Sequence, residues 1–187
     1  MGPLFVMQAC FLCEVPYPYG MKPIAQKFKD QGIAAEKAFA EWLDRSVLPY
    51  IYVEQSKITL PQSLKGDIKR PDYIVGLPLI GSVCCDVKCK SFYDDHLIFD
   101  AYEYRNLANF QLFFMSSVWV VCFDPADMDT CYIFLNEWLL REKTIRIKGR
   151  VCARMPLREM LKVNVTKTRF QDAMMRAVDL KLDDWEE

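Results

Sequence analysis

The spacing of apolar positions predicts helices and strands in alternation along most of the chain. Residues 24–45 and 101–115 repeat apolar side chains at helical spacing, which is typical of amphipathic helices that face a core. Runs of β-branched and aromatic residues predict strands, at residues 50–55, 72–75, 82–91 and 118–123. The glycine-bounded stretch 76–81 predicts a turn between two antiparallel neighbours.

The pattern after residue 124 is less regular. It predicts shorter elements: an edge strand at 131–135, a short helix at 136–141, a turn at 148–150 and a last helix at 170–182. Residues 93–100 are acidic and are predicted to form a loop, in which His96 is the one histidine of the chain. His96 is either an accessory base or simply an exposed loop residue.

The strand at 82–91 has one apolar face and one charged face. Cys85 and Val87 share one side, whereas Asp86 and Lys88 project from the other. Asp72, at the beginning of the partner strand, is predicted to reach the same end of the sheet. Two carboxylates at short distance repel each other unless a cation joins them, and a lysine beside them can orient a water or stabilise a phosphoryl oxygen.

A magnesium ion suits such a pair of carboxylates. Mg²⁺ takes oxygen ligands, keeps several waters and bridges protein carboxylates to phosphate, and Mn²⁺ accepts the same kind of ligand. The alternative interpretation is a surface strand on which Asp86 and Lys88 form an ordinary ion pair.

Two further polar residues accompany apolar stripes. Glu36 lies on the flank of the buried stripe of the first helix, beside Phe39 and Leu43. Gln111 interrupts the apolar face of the second helix, which is predicted to consist of Tyr104, Leu107, Ala108, Phe114 and Met115. A buried amide needs hydrogen-bond partners, so Gln111 is either a site residue or an amide satisfied by neighbouring backbone.

Composition limits the class of protein. With 187 residues, of which 52% are hydrophobic, the chain is expected to form one packed domain. No apolar run reaches the roughly 18 residues of a membrane span, and no signal peptide is evident, so we expect a cytoplasmic protein with reduced cysteines. Cys10 and Cys13 form a CxxC pair, for which a metal or redox role is the alternative to simple burial.

Charge is balanced overall but uneven along the chain. The formal net charge is −1, which does not indicate a general nucleic-acid binder. Residues 141–176 are nevertheless basic, and Arg146, Lys148 and Arg150 are the residues that we predict to contact a nucleic-acid backbone. The alternative is a solvated surface.

The order of elements and the charged residues together resemble a known superfamily. Pro71-Asp72, followed by Asp86-Val87-Lys88, resembles the PD-(D/E)xK motif of the restriction-endonuclease-like nucleases. The resemblance covers about residues 24–124 and implies an αβββαβ core in which a central mixed sheet is flanked by helices.

The resemblance also implies roles for residues of this chain. Asp72 and Asp86 would be metal ligands, Glu36 would supplement them, and Lys88 would be the catalytic lysine. Gln111 resembles a glutamine that lies near the active site of RecB-like members.

These observations predict a Mg²⁺-dependent nuclease that hydrolyses phosphodiester bonds, most simply in DNA. The alternative is a catalytically idle nuclease-like fold that binds nucleic acid or protein. We predict three segments: an apolar, proline-rich N-terminus (1–23), the nuclease-like core (24–135) and a basic C-terminal extension packed on it (136–187). A homodimer or a partner protein that supplies specificity is the expected assembly, and no contact with a membrane is expected.

Overall fold

The computed structural model describes residues 26–56, 60–79 and 81–182. The predicted N-terminal segment, with Cys10 and Cys13, lies outside these residues. The helices are α1 (Gln26–Arg45), α2 (Ala101–Phe114), α3 (Trp138–Arg141) and α4 (Phe170–Leu182). The strands are β1 (Tyr50–Tyr52), β2 (Tyr73–Leu77), β3 (Gly81–Cys89), β4 (His96–Asp100), β5 (Val118–Asp124), β6 (Asp127–Leu135), β7 (Thr144–Ile147), β8 (Arg150–Pro156) and β9 (Leu161–Asn164).

A mixed six-stranded sheet forms the centre of the molecule, in the order β1-β2-β3-β5-β6-β9. Strands β3 and β5 are parallel, with Asp86 beside Val120, and all other neighbours in the sheet are antiparallel. The parallel pair requires a long crossover, and the chain segment that contains β4 and α2 provides it.

Helices α1 and α4 cover one face of this sheet. The stripe predicted on the first helix is buried, with Phe39 and Trp42 fully inaccessible to solvent, and it packs against Cys85 and Val87 of β3. Phe170 begins α4 against the same aromatic side chains, at ring-centroid distances of 5.6 Å from Phe39 and 5.1 Å from Trp42. This face is therefore held by close apolar packing.

Helices α2 and α3 and a second sheet cover the opposite face. The second sheet has three antiparallel strands in the order β4-β8-β7, and Leu97, Phe99 and Met155 from it are buried against the central sheet. The sequence-based prediction of a loop at residues 93–100 is wrong for its second half, because Leu97 and Phe99 alternate inward as in a strand. The predicted turn at 148–150 is confirmed, since it joins β7 to β8.

The other predicted elements are found, most of them with shifted ends, but the strand predicted as an edge at 131–135 is β6, which lies inside the sheet between β5 and β9. The prediction of α4 is confirmed at both ends, whereas the strand predicted at 50–55 forms its ladder only over Tyr50–Tyr52. Both β9 and α4 follow residue 135, so the segment predicted as an extension completes the central sheet and one of its helix layers. The three predicted segment boundaries themselves stay a prediction. Among the described residues, no helix is both long enough and apolar enough to cross a membrane.

Candidate active site

The sheet places Asp72 opposite Asp86. Tyr73 pairs with Cys85, so the next position outward brings Asp72 against Asp86 at the point where β2 begins. Two backbone hydrogen bonds fix Asp72 there: its N–H donates to the carbonyl of Cys85 at 2.9 Å, and its carbonyl accepts from Val53 at 2.8 Å. Its carboxylate oxygen Oδ2 also accepts a hydrogen bond from the N–H of Val87 at 2.7 Å. Asp72 is therefore oriented by the backbone of two neighbouring strands.

Asp86 is a fully buried carboxylate held between two lysines. Its side chain is inaccessible to solvent, and Nζ of Lys88 lies 2.5 Å from Oδ2. Nζ of Lys69 lies 2.5 Å from Oδ1, from the opposite side. Lys88 projects from the same face of β3 as Asp86, as the alternation of the strand predicted, whereas Lys69 comes from the loop before β2.

Glu103 forms ion pairs with the same two lysines that contact Asp86. It lies in the first turn of α2, and its Oε1 is 3.0 Å from Nζ of Lys69 and 3.4 Å from Nζ of Lys88. Asp100 caps this helix by accepting a hydrogen bond from the N–H of Tyr102 at 2.9 Å, which fixes the first turn of α2. We call Lys69, Asp72, Asp86, Lys88 and Glu103 the charged cluster.

Burial and mutual charge determine the protonation of this cluster. Burial and the charge of Asp86 raise the pKa of Asp72 to about 7, although Lys88 and Lys69 oppose the shift. Burial alone would lower the pKa of Lys88, but the charges of Asp86 and Glu103 outweigh it and raise that pKa well above its usual value. Burial likewise would raise the pKa of Glu103, yet the two lysines hold it far below its usual range. The cluster therefore favours a protonated Lys88, an ionised Glu103 and an Asp72 carboxyl that holds its proton to higher pH than an ordinary aspartate.

Glu36 lies next to Tyr52 on the neighbouring strand. The Tyr52 hydroxyl donates to Oε2 of Glu36 at 3.2 Å, and the Glu36 carbonyl accepts from the Tyr73 hydroxyl at 3.0 Å. Burial and then the charge of Glu36 raise the pKa of Tyr52, and Asp72 adds to the shift, so this phenol is near both carboxylates. Glu36 is half-buried on the flank of α1, where the helical periodicity placed it. Tyr52 thus connects Glu36 to the edge of the charged cluster.

Gln111 lies two turns farther along α2 than Glu103. Its Oε1 accepts a hydrogen bond from Nδ2 of Asn136 at 3.1 Å, and the same nitrogen donates to the carbonyl of Tyr104 at 3.0 Å. Asn136 is fully buried two positions before α3. The amide of Gln111 is accordingly paired with a side chain that joins α2 to α3, and its catalytic role stays a prediction.

A basic cleft opens beside the charged cluster. It has a volume of about 580 Å³ and is lined by Lys90, Ile98, Asp100, Ile147, Lys148, Arg150 and Cys152. Lys90 comes directly after the end of β3, two positions beyond Lys88, and its ammonium group lies 5.1 Å from the ring centroid of Phe99. Two of the three residues predicted to contact nucleic acid, Lys148 and Arg150, line this cleft, whereas Arg146 is exposed on β7. Lys90 therefore connects the charged cluster to the β7–β8 hairpin.

The chemistry of the cluster fits a divalent cation held by two carboxylates. Asp72 and Asp86 face each other closely enough for the charge of one to raise the pKa of the other, and a cation between them would relieve that repulsion. Mg²⁺ in proteins is commonly bound by one or two carboxylates together with water and phosphate oxygens. Within residues 26–56, 60–79 and 81–182, no group of three or more histidine, cysteine, aspartate or glutamate side chains is placed to hold a metal. The fit is thus to an ion with two protein ligands.

Three residues of this site were not predicted from the sequence: Lys69, Glu103 and Tyr52. Charged residues in polar loops and in the first turns of helices are common on protein surfaces, so Lys69 and Glu103 gave no separate signal. The available hint for Glu103 was Asp100, a helix-capping residue three positions earlier. Tyr52 was visible only as part of an aromatic strand.

Comparison with known proteins identifies the fold. No family model and no curated protein sequence matches the chain. Among solved structures, the chain is similar to Hjc, a Holliday junction resolvase from the archaeal hyperthermophile Archaeoglobus fulgidus, with 16% sequence identity and a TM-score of 0.50. The match covers 73% of this chain and 100% of that one. The chain therefore has a restriction-endonuclease-like fold, with a central mixed sheet flanked by helices, which confirms the predicted fold class and, at the level of the fold, the predicted resemblance.

Proposed function

We propose that the protein is a nuclease that requires a divalent metal ion, Mg²⁺ or in its place Mn²⁺, and hydrolyses phosphodiester bonds in DNA. The observation that carries the proposal is the meeting of Asp72, Asp86 and Lys88 at one end of the central sheet of a nuclease-type fold. We expect the protein to act in the cytoplasm, as a homodimer or with a partner protein.

In this proposal Asp72 and Asp86 are the two direct ligands of the ion, and Glu36, which accepts a hydrogen bond from Tyr52, supplements them with its negative charge at the edge of the cluster. When bound, the ion would polarise a phosphoryl oxygen and make a water molecule more acidic. Lys88 remains protonated, because Asp86 and Glu103 raise its pKa. It therefore donates hydrogen bonds, which orient the attacking water and stabilise the charge that develops on the phosphoryl group.

DNA is the substrate that the surroundings of the cluster favour. The basic cleft extends from Lys90 to Lys148 and Arg150 and offers a path for a phosphate backbone. The similar protein Hjc is described as a Holliday junction resolvase, so a four-way DNA junction belongs among the first substrates to be tested. Gln111 and Arg146 are further proposed participants, at the α2–α3 junction and on β7 respectively.

One feature favours the second candidate function, a binding module without catalysis. Asp86 already contacts two ammonium groups, at 2.5 Å each, so its charge is compensated by the protein's own lysines. A protein of this kind would bind DNA in the cleft without cutting it. The same experiment separates the two candidates.

The test is cleavage of labelled duplex, single-stranded and four-way-junction DNA, and of RNA, with Mg²⁺ or Mn²⁺ and with chelator. We expect DNA to be cut only with metal, and the Asp86→Asn and Lys88→Met variants to lose about 10²-fold or more in rate, since each removes a group that acts on the reacting phosphate.

The matched controls are Asp179→Asn and Lys143→Met, two exposed residues for which normal activity is expected. Circular dichroism would establish that all variants fold. DNA binding without cleavage under every condition would favour the binding module. Cleavage that is equal in the wild type and in Asp86→Asn would refute the proposed site.

A further inference from the structure

Hydrogen bonds hold the loop before β2 against one side of α2. The carbonyl of Gly66 accepts hydrogen bonds from the Tyr102 hydroxyl at 2.8 Å and from Nδ2 of Asn106 at 2.9 Å. Nδ2 of Asn109 donates to the carbonyl of Asp67 at 2.7 Å. Tyr102, Asn106 and Asn109 are four and three positions apart and so lie on one face of the helix. This face binds the loop along about two helical turns.

The fourth bond of the series positions Lys69 itself. The N–H of Lys69 donates to the carbonyl of Asn106 at 3.1 Å, and Ile68, immediately before it, is buried against Leu107 and Phe110. The loop therefore cannot slide along the helix without breaking several hydrogen bonds and exposing Ile68. The backbone of Lys69 is therefore held in a fixed position beside α2, from which its side chain extends into the site.

The side chain of Lys69 completes an alternating arrangement of charges. Its ammonium group contacts Oδ1 of Asp86 and Oε1 of Glu103, while Lys88 contacts Oδ2 of Asp86 and the same oxygen of Glu103. Both carboxylate oxygens of Asp86 are thus already in contact with an ammonium group of the protein, and the one on Oδ1 comes from Lys69.

We propose that Lys69 is a fixed cation of the active site: its contact with Oδ1 of Asp86 opposes the binding of a second divalent ion, and so limits Asp72 and Asp86 to one. This inference rests on the proposed function, because it assigns the metal content of the same site. Lys69 acts through Asp86 and is therefore a positioning residue. A buried ammonium group competes with an incoming cation for the same carboxylate, so its removal strengthens metal binding.

The test is calorimetric titration of the full chain with Mn²⁺, for the wild type, Lys69→Met, Lys69→Arg and the control Lys65→Met. Lys65 is an exposed lysine of the same loop. We expect the wild type, Lys69→Arg and Lys65→Met to bind one ion with similar affinity. Lys69→Met is expected to bind Mn²⁺ about tenfold more tightly or to take up a second ion, since one opposing charge is gone.

Several results would overturn the proposal, and they differ from those that overturn the function. Two ions on the wild type, or equal binding by Lys69→Met and Lys65→Met, would refute the role of Lys69 and leave metal-dependent cleavage intact. Absence of binding by the wild type would refute both. If Lys69→Met does not fold, Lys69→Gln provides a second neutral variant for the same comparison with Lys65→Met.

Discussion

The two faces of β3 are equally buried but are stabilised in different ways. Cys85, Asp86 and Val87 are consecutive, and their exposed fractions are 0%, 0% and 5%. Cys85 and Val87 pack under α1 among aromatic and aliphatic side chains. Asp86, which points to the other side, is surrounded by charged groups from a loop, a strand and a helix.

The two faces make different demands on the rest of the chain. An apolar face needs only complementary shape, which many side chains can supply, and the hydrophobic effect stabilises it. A buried carboxylate needs specific partners, because an unpaired charge in the interior costs several kcal/mol. Lys69 and Lys88 are those partners here, and Glu103 in turn forms ion pairs with both lysines. A protein that maintains such an arrangement keeps a charged site in a dry position, where electrostatic interactions with a phosphate are strongest.

The largest expected effect on stability comes from breaking the apolar face. Phe39 is fully buried, and its ring centroid lies 5.0 Å from that of Tyr73 and 5.6 Å from that of Phe170. Phe39→Ala should lower the free energy of unfolding by about 3–5 kcal/mol, because it leaves a cavity in this layer. Urea denaturation measures the loss.

The control for this substitution is Phe113→Ala, since Phe113 is 64% exposed and its removal should change stability by no more than about 0.5 kcal/mol. The folded Phe39→Ala protein should retain its affinity for Mn²⁺. A large loss of metal affinity in Phe39→Ala would mean that the two faces are coupled, and would contradict the distinction drawn between them.

The second-largest expected effect is the contribution of the charged face to stability, which depends on pH. The pKa of Asp72 is raised to about 7 in the folded protein, against about 4 for an unfolded aspartate, so the folded state binds this proton more tightly. Its contribution to stability is therefore complete below about pH 4, declines as the pH rises, and is lost above about pH 7.

Asp72→Asn should remove this dependence. Asparagine keeps an oxygen that can accept the hydrogen bond from Val87 but does not ionise. Denaturation in the presence of chelator measures the free energy of unfolding. Between pH 5 and pH 8, that free energy should rise in the variant by about 2–4 kcal/mol relative to the wild type. Asp179→Asn, at an exposed position, should follow the wild type at every pH. If the free energies of unfolding of Asp72→Asn and the wild type differ by the same amount at every pH, the Asp72 carboxylate is not destabilised by its surroundings.

The two faces also differ in how far the sequence predicts them. Helical spacing identified the buried residues of α1, and strand alternation placed Asp86 and Lys88 on one side of β3, because both are local periodicities. The same reasoning was wrong for the end of α2, where Phe114 and Met115 are 54% and 90% exposed. The helix ends there in a left-handed residue, Met115, so the predicted stripe does not continue into the core.

Local sequence patterns do not predict contacts between segments that lie far apart in the chain. The second sheet pairs β4 with β8, which lie far apart in the chain, and no local pattern specifies that pairing. Lys69 reaches Asp86 because the loop before β2 lies across α2, and the polar side chains that fasten it, such as Asn106, resemble ordinary surface residues in the sequence. Asn106 is 8% exposed, and its side chain donates a hydrogen bond to the carbonyl of Gly66 in that loop. The motif was thus predictable, whereas the residues that neutralise it depend on tertiary structure.

Substitution of surface charges on the two sides of the sheet is expected to have the smallest effect on stability. It should nevertheless distinguish the two sides clearly in DNA binding. Lys148 and Arg150 line the basic cleft beside the charged cluster, whereas Arg169 and Arg176 belong to the α4 side of the sheet. All four are exposed, so either double change to glutamine should alter stability by no more than about 0.5 kcal/mol per site.

Binding of labelled duplex DNA should separate these two variants. Fluorescence anisotropy in chelator, at several salt concentrations, gives the slope of log affinity against log salt, whose magnitude falls by roughly 0.9 for each phosphate that the protein no longer neutralises. We expect Lys148→Gln/Arg150→Gln to bind more weakly with a slope reduced by about 2, and Arg169→Gln/Arg176→Gln to behave as the wild type. Equal losses of affinity in both variants would indicate a diffuse electrostatic attraction to the whole surface and would contradict the cleft as the path of the DNA backbone. A loss of affinity confined to the cleft variant would place the DNA on the face of the sheet that bears Asp86 and Lys88, as the proposed hydrolysis at those residues requires.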